Sequence, residues 1–419
     1  MSPNSTPPRK NAPAAKPVGF PWMSPISSST STKWPSSPQP SSPSRHSRTA
    51  LYNAFPGLSI SDSKSSSQSS NSKSFKSSIR SRRFPNWTSI SRATGPRPRE
   101  VQFTIKMNNG YRVYSNSDPY NLATDLFNDL SNDILEIRNK ADDPKMSDVM
   151  SEEITSAMME LVFSSNLIER AGLGYGITIK ICQKIFEGGH VDARDFDERS
   201  PEYTRWLQDL AARNNPTNKA HIIRSRQEII QHALALQYIM QKVAFESLPL
   251  SEAIICDTHK ILTKGIDAMN GPDVISSTSY GGVYRTVPVM AGATCFVTPA
   301  KVPGCMRDFI SDYNEDVRRY ENEGLMDPFW IAAKLCDKFV NIHPFLDGNG
   351  RMCRLVLNAI LLKYTGMIVS IGEYDGERKE YCDIAVRASA MMEGPGELAV
   401  LVLKKATQRF KSLKQSDSA

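Results

Sequence analysis

Residues 342–354 read Ile-His-Pro-Phe-Leu-Asp-Gly-Asn-Gly-Arg-Met-Cys-Arg, and the fold and the chemistry predicted for the chain both start here. An apolar run at 329–340 predicts a helix leading into this stretch. Because a proline disfavours helical backbone in the residue before it, that helix should end near His343. The run 355–362 is apolar almost all round and predicts a buried helix. We therefore expect a helix–loop–helix whose second helix starts near Gly348.

The start of this second helix carries groups suited to phosphate. Gly348, Asn349 and Gly350 lie where unpaired backbone N–H groups and the positive end of the helix dipole favour an anion. Arg351 and Arg354 are three residues apart and share one helix face, and their planar guanidinium groups fit phosphate oxygens. The pattern predicts an anion-binding nest flanked by two cations.

Two further groups stand directly before the nest. Asp347 offers a hard oxygen ligand of the kind Mg²⁺ prefers, and the imidazole of His343 titrates nearest to neutrality. A base, a metal ligand, a nest and two cations thus lie within residues 343–354. Together they predict a site for phosphate chemistry.

Residues 343–351, followed by Arg354, match the motif of the Fic family at every specified position, so the chain resembles that family. The resemblance implies a mainly α fold, a Fic-type helical bundle with a short β-hairpin flap. It implies transfer of AMP from ATP to a Tyr, Thr or Ser hydroxyl of a target protein, with His343 as the catalytic base. The cofactors would be ATP and Mg²⁺, with the metal on Asp347. The implied phosphate-binding residues are Asp347, Gly348, Asn349, Gly350, Arg351 and Arg354.

Residues 151–170 predict an amphipathic helix. Ser165 and Glu169 share one face of it, four residues apart. Many Fic proteins carry an inhibitory helix with Ser or Thr, three spacers, Glu, and then Gly or Asn; here Arg170 takes the last position. The resemblance implies that Glu169 pairs with Arg354 and obstructs the γ-phosphate, because a carboxylate competes with phosphate for the same cation.

Two more segments gain a role from the resemblance. Residues 281–303 read as non-helical with a short β-hairpin, which implies a flap that holds the target backbone by strand addition. The target-facing flap residues would be Ala291, Gly292, Ala293, Thr294 and Cys295. Residues placed by the resemblance at the adenine pocket are Tyr381, Cys382 and Ser389; Ser389 stands where relatives often have Asn.

The first hundred residues differ in composition from the rest. They hold fifteen basic and two acidic residues, whereas the remainder holds 36 basic and 42 acidic residues. Ser, Pro, Lys and Arg dominate this tail, which has too little apolar surface to offset chain entropy. We expect residues 1–98 to be a disordered basic tail, 99–222 an N-terminal helical region with a small hairpin at 101–113, and 223–415 the Fic domain.

Location and partners follow less directly. The tail fits a solvated linker, a mitochondrial transit peptide or a nuclear signal, and seven scattered cysteines favour a reducing compartment. We expect an intracellular protein, cytoplasmic before mitochondrial or nuclear, with no membrane span. Two alternatives to AMP transfer stay open: removal of AMP in the same fold, with Glu169 aligning water, and a non-catalytic nucleic-acid or protein adaptor. An intact His343 and Asp347 argue against the adaptor, so nucleic acid is not the expected partner. A homodimer stays open.

Overall fold

A computed structural model describes residues 18–19, 102–103, 110–111, 119–139, 144–270, 273–291, 294–390 and 393–417. These residues are mainly helical, which confirms the predicted fold class. Most of the tail predicted to be disordered lies outside the described residues. Val18 and Gly19 are the exception, because they form a short strand.

The helices are α1 Pro119–Asn139, α2 Pro144–Ile168, α3 Tyr175–Phe186, α4 Pro201–Ala212, α5 Lys219–Ile239, α6 Glu252–Thr263, α7 Ser277–Tyr280, α8 Val302–Glu323, α9 Pro328–Ile342, α10 Asn349–Thr365, α11 Asp375–Ala390 and α12 Gly396–Asp417. A π-helical turn, Met240–Phe245, continues α5, and a 3₁₀ turn, Pro299–Lys301, precedes α8. The strands are β1 Val18–Gly19, β2 Gln102–Phe103, β3 Ala268–Asn270, β4 Asp273–Ile275, β5 Val289–Ala291, β6 Thr294–Cys295 and β7 Leu325–Met326.

Helix α10 is the centre of the core. Every residue in it except Gly350 and Lys363 is buried, as its apolar sequence predicts. It packs against α9, α2 and the α5 helix with its π-helical turn. Because α10 begins with the anion nest, the most buried helix of the chain fixes the position of the predicted site.

The described residues also form three short sheets. Strands β5 and β6 form the antiparallel hairpin predicted as the flap, and β1 pairs in parallel with the outer edge of β5. Strands β3 and β4 form a second antiparallel hairpin that the sequence analysis did not anticipate. Strand β2 pairs in parallel with β7, more than two hundred residues away. Most of the hairpin predicted at 101–113 lies outside the described residues, so it stays a prediction.

The segment between α2 and α5 contains helices α3 and α4. Serine and asparagine side chains cap the starts of α4 and α5: Ser200 accepts from the Tyr203 N–H and Asn218 from the His221 N–H. None of the helices within the described ranges is long and apolar enough to cross a membrane.

One disulfide joins the two helices of the central motif. Cys336 on α9 is bonded to Cys353 on α10, and both residues are buried. Nothing in the cysteine spacing indicated this pair. The pairing removes the argument from scattered cysteines for a reducing compartment, so the intracellular location stays a prediction.

Candidate active site

The loop between α9 and α10 is held by two residues in left-handed backbone conformation. His343 ends α9 with φ 51°, and Gly348 precedes α10 with φ 79°. Left-handed backbone is strained for residues with a side chain, and such strain concentrates at functional sites. A Cβ added at Gly348 would lie 3.4 Å from His259 Nε2, an ordinary van der Waals contact, so glycine is favoured there by the backbone conformation rather than by lack of space.

The Asn349 side chain closes the loop. Its Oδ1 accepts from the Phe345 N–H at 2.9 Å, and its Nδ2 donates to the Phe345 carbonyl at 2.8 Å. The direct role that the resemblance implied for Asn349 at a phosphate stays a prediction. The amide is used by the loop itself, and Asn349 supports the nest through the backbone N–H groups that it positions.

His259 supports the loop from below. It is fully buried, and its ring stacks on Phe345 with centroids 3.7 Å apart. Nδ1 accepts from the Gly282 N–H, and Nε2 therefore donates to the Asp347 carbonyl, both at 2.8 Å. Burial lowers the pKa of His259 to about 4. This neutral tautomer links α6, the chain before the flap and the motif loop.

His343 is oriented by two contacts. Its Nδ1 lies 3.3 Å from the Val340 carbonyl, to which it donates when the ring is neutral, and its ring stacks on Phe296 with centroids 3.9 Å apart. Burial lowers the pKa of His343 to about 3, against the smaller opposing effect of the Val340 carbonyl. The imidazole is therefore neutral at physiological pH, with the lone pair on Nε2, as a general base requires.

Arg285 ties this histidine to the flap. Its backbone N–H donates to the Pro344 carbonyl at 2.9 Å, and its Nε donates to the His343 carbonyl at 2.6 Å. Its terminal nitrogens donate to the Val287 and Val297 carbonyls, on either side of the hairpin. The sequence analysis missed this buried residue, because its partners are backbone carbonyls that no sequence pattern marks.

Asp347 and Arg351 stand at the open side of the nest. Asp347 Oδ1 accepts from the Gly348 N–H at 2.6 Å, while Oδ2 lies 3.5 Å from Arg351 Nη2. Arg351 is buried, and its Nε and Nη1 have no hydrogen-bond partner among the described residues. Buried guanidinium donors without partners are costly, so this group is suited to receiving an anion.

Across the nest, Arg354 is held by α2, the helix predicted to be inhibitory. Its Nη2 donates to Glu169 Oε1 at 2.7 Å and to the Ser165 carbonyl at 2.9 Å, and its Nε donates to Ser165 Oγ at 2.8 Å. A Cβ added at Gly350 would overlap Glu169 Oε1. The predicted pairing of Glu169 with Arg354 is thus present, and the carboxylate lies directly on the nest.

A Schellman motif fixes the position of Glu169 at the end of α2. The Ala171 N–H donates to the Asn166 carbonyl at 2.9 Å, and the Arg170 N–H to the Leu167 carbonyl at 3.1 Å. Arg170 occupies the left-handed position with φ 55°. Glycine or asparagine adopts this conformation more readily, which explains physically why Arg170 is an unfavourable residue at this position.

Helix α5 anchors this helix end from the core. Glu228 Oε2 accepts from the Gly172 N–H, and His232 Nδ1 lies at hydrogen-bond distance from Asn166 Oδ1, both at 2.8 Å. His232 is fully buried, and its pKa is lowered well below the ordinary value, first by burial and then by the neighbouring arginines of α10. No sequence pattern marks this pair, because Asn166 and His232 are 66 residues apart.

One cleft, open to solvent, brings together eight of the predicted site residues, whereas Asp347 and Arg351 are not part of its lining. Its lining residues include Glu169, Thr294, Phe296, His343, Gly350, Arg354, Tyr381, Cys382 and Ser389. The predicted adenine residues therefore share one cleft with the base and the nest, and adenine binding by them stays a prediction. Of the predicted flap residues, Gly292 and Ala293 lie outside the described residues, Ala291 is buried and Cys295 is exposed.

The fold and cleft define a helical domain with an anion nest beside a neutral histidine. Residues 249–361 match the model of the Fic/DOC family. A Fido domain-containing protein of Dictyostelium discoideum is 41% identical over 83 residues, covering 20% of this chain and 55% of that protein. The protein adenylyltransferase Fic of Drosophila willistoni is 29% identical over 136 residues, which cover 32% of this chain and 24% of that protein. The protein adenylyltransferase fic-1 of Caenorhabditis elegans is 29% identical over 142 residues, which cover 34% of this chain and 25% of that protein.

Residues 249–361 therefore form a Fic/DOC-family domain. The chain spans about half the length of the Dictyostelium relative and about a quarter of each adenylyltransferase. It is also similar to the solved structure of Fic-1 from C. elegans, with 21% identity, a TM-score of 0.48 and coverage of 71% and 73% of the two chains. A second similar structure is a Fic domain containing signaling protein from Bacteroides thetaiotaomicron. It has 19% identity and a TM-score of 0.47, and the match covers 70% of this chain and 98% of that chain.

The buried histidines predict a pH dependence of stability. His232, His259 and His343 have lowered pKa values in the folded chain, whereas an unfolded histidine titrates near 6.5. Below pH 6.5 the unfolded chain therefore binds more protons than the folded chain, and the free energy of unfolding falls as pH falls. Each histidine contributes a slope of about 1.4 kcal/mol per pH unit down to its folded pKa.

Urea unfolding at pH 7, 6 and 5 measures this slope. The His259→Gln variant should lose about one histidine's share of it, and the exposed His190→Gln control should lose none. Burial raises the pKa of Asp337 to about 6, so this group changes the free energy of unfolding with pH in the opposite direction. Its contribution is the same in all variants. An unchanged slope in His259→Gln would show that His259 does not stay neutral in the fold.

The backbone of Arg170 predicts a stabilising substitution. Arg170→Gly relieves left-handed strain of about 1–2 kcal/mol, part of which is offset by the greater entropy of glycine in the unfolded chain. We expect a net gain of roughly 0.5–1 kcal/mol in urea unfolding. The Asn215 side chain bonds the residue 170 carbonyl, which glycine keeps. Arg170→Ala, which keeps the strain, should show no gain; equal stability of both variants would refute the strain argument.

Proposed function

We propose that this chain is a protein adenylyltransferase that transfers AMP from ATP to a hydroxyl side chain of a target protein and is auto-inhibited by Glu169. One observation carries the proposal. The neutral, buried His343 shares a cleft with the anion nest at the start of α10, and the Glu169 carboxylate lies against Gly350 of that nest. The adenylyltransferase names of two relatives support the same activity, although each shares only about a third of this chain.

Each residue would have a separate task. The backbone N–H groups after Gly348 would bind phosphate oxygens, with Arg351 supplying the guanidinium donors that lack partners. His343 Nε2 would take the proton from the target hydroxyl as its oxygen attacks the α-phosphorus, and pyrophosphate would leave. A well-placed base contributes about 10²–10⁴-fold to the rate, and positioning and charge stabilisation supply most of the remainder.

Asp347 fits a site for Mg²⁺ shared with ATP. Across the described ranges no group of three or more His, Cys, Asp or Glu side chains could hold a metal ion. This suits Mg²⁺, which commonly binds one or two carboxylates and completes its shell with water and substrate phosphates. When bound, the ion would neutralise phosphate charge; Asp347 itself is partly exposed, with Oδ2 facing Arg351.

Glu169 would inhibit by taking the place of a phosphate. Its carboxylate contacts Arg354 and lies against Gly350, so a phosphate seated on the same nest would meet both its volume and its negative charge. The buried arginine is satisfied by Ser165 and Glu169 in the resting chain. Removing Glu169 leaves this cation available to the nucleotide.

The activity predicts a specific labelling pattern with α-labelled ATP and Mg²⁺. Glu169→Gly should label itself strongly, the wild type faintly, and Glu169→Gly combined with His343→Ala not at all. Loss of the base should reduce the rate by roughly 10²-fold or more. Glu187→Gly, which removes an exposed carboxylate from the end of α3, is the matched control and should label like the wild type.

Other outcomes of this experiment decide between alternatives. If Glu169→Gly folds and binds ATP but no variant labels itself or a lysate, forward transfer is wrong, and AMP removal with Glu169 aligning water is the reaction to assay next. Equal labelling of the wild type and Glu169→Gly would keep the transferase and exclude the inhibitory role of Glu169. Retention of label in the double variant would exclude His343 as the base.

A further inference from the structure

The outer edge of the flap is occupied by the chain's own tail. Strand β1 pairs in parallel with β5, with Val18 opposite Val289 and Gly19 opposite Met290. The other edge of β5 is taken by β6. An exposed strand edge presents unpaired N–H and C=O groups that any extended segment can bind, and here residues 18–19 fill that place on β5.

The pairing lies beside the proposed base. Extension of the hairpin register from Met290 and Cys295 places Phe296 across from Val289. The Phe296 ring stacks on the His343 ring, and Val289 is buried in a small cluster with Leu346 of the motif loop. The tail strand therefore runs along the flap at the level of His343.

The tail segment offers no acceptor at this place. Val18 and Gly19 carry no hydroxyl, and the nearest Ser, Thr or Tyr residues in the sequence are Thr6 and Ser24. Pro17 and Pro21 lack N–H donors, so the flanking sequence favours a short pairing over a long added strand. An intramolecular competitor of the target needs a backbone that pairs with the edge of β5 and no hydroxyl that could accept AMP.

We propose that Val18–Gly19 is a pseudosubstrate that occupies the flap edge in cis and excludes the target backbone from it. The inference rests on the proposed function, since only a transferase has an acceptor to exclude. It adds a second block that is independent of Glu169: the carboxylate covers the phosphate nest, and the tail covers the acceptor strand. A tethered segment competes at high effective concentration, so a target must displace it.

Occupancy is tested without any activity. Gly19→Cys, Met290→Cys and Cys295→Ser are combined, so that the paired positions carry cysteines and the exposed flap cysteine is removed. A short bis-maleimide should join residues 19 and 290, identified by mass spectrometry of the linked peptides. The control moves the tail cysteine to position 54 by Ala54→Cys and should give at least roughly tenfold less of the linked product, because tethering alone gives only a modest local concentration.

The pseudosubstrate character is tested by supplying the missing hydroxyl. In the Glu169→Gly background, Val18→Ser or Gly19→Ser places an acceptor on the tail strand. The serine oxygen would bond to the α-phosphorus, its proton would pass to His343, and pyrophosphate would leave. Successive strand residues face opposite sides, so one of the two serines, and not both, should be labelled. The labelling rate per molecule should not depend on protein concentration, and His343→Ala should abolish it.

The outcomes separate the two proposals. Equal cross-linking from positions 19 and 54 would overturn the tail docking, whatever the enzyme does. Cross-linking at 19 without label at 18 or 19, in a Glu169→Gly chain that labels elsewhere, would overturn the pseudosubstrate. Cross-linking with no label in any variant would contradict the proposed transferase, and the inhibitory meaning of the docked tail would fall with it.

Discussion

Helix α2 and the motif helix α10 meet at the guanidinium of Arg354. It is buried at the start of α10 and is satisfied almost entirely from α2, through the side chain and carbonyl of Ser165 and the carboxylate of Glu169. Removing one partner of a buried ion pair leaves an uncompensated charge, which typically costs about 3–5 kcal/mol. Under the proposed function, this cation binds either the protein's own carboxylate or a phosphate of the nucleotide, and the two compete for it.

Contacts from the surrounding structure fix the position of both segments that meet at Arg354. The Schellman motif, Glu228 and the His232–Asn166 contact fix the end of α2 from the core, while Arg285 and His259 hold the motif loop from the other side. With the base and nest rigidly placed, the proposed regulation needs only two groups to leave: the Glu169 carboxylate from the nest and the tail strand from the flap. Departure of the Glu169 carboxylate would allow the nucleotide to bind, and departure of the tail strand would allow the acceptor to bind.

The sequence predicted the parts of the site that lie close together along the chain. His343, Asp347, the glycines and both arginines occupy one helix–loop–helix, and the Ser165–Glu169 spacing predicted a shared helix face that the structure confirms by contact with Arg354. The mainly helical fold and the flap hairpin were predictable for the same reason, since helical periodicity and a glycine turn are local signals.

Long-range contacts were beyond such reasoning. Arg285 and His259 act through backbone carbonyls and N–H groups of distant segments, and these partners carry no side-chain pattern. Asn349 was assigned to phosphate because of its place in the motif, whereas its amide closes the loop on Phe345. The pairing of Val18–Gly19 with the flap also depends only on backbone groups, so the composition of the tail could not reveal it.

The most direct test is the affinity of the wild type and Glu169→Gln for ATP and for AMP, measured by calorimetry in the presence of Mg²⁺. Glutamine keeps the shape of the side chain and removes the charge. If Glu169 competes with the outer phosphates, the substitution should tighten ATP binding roughly tenfold, about 1.4 kcal/mol, and change AMP binding by less than about twofold. An equal change for both nucleotides, or no change for either, would contradict a competition between Glu169 and phosphate for Arg354.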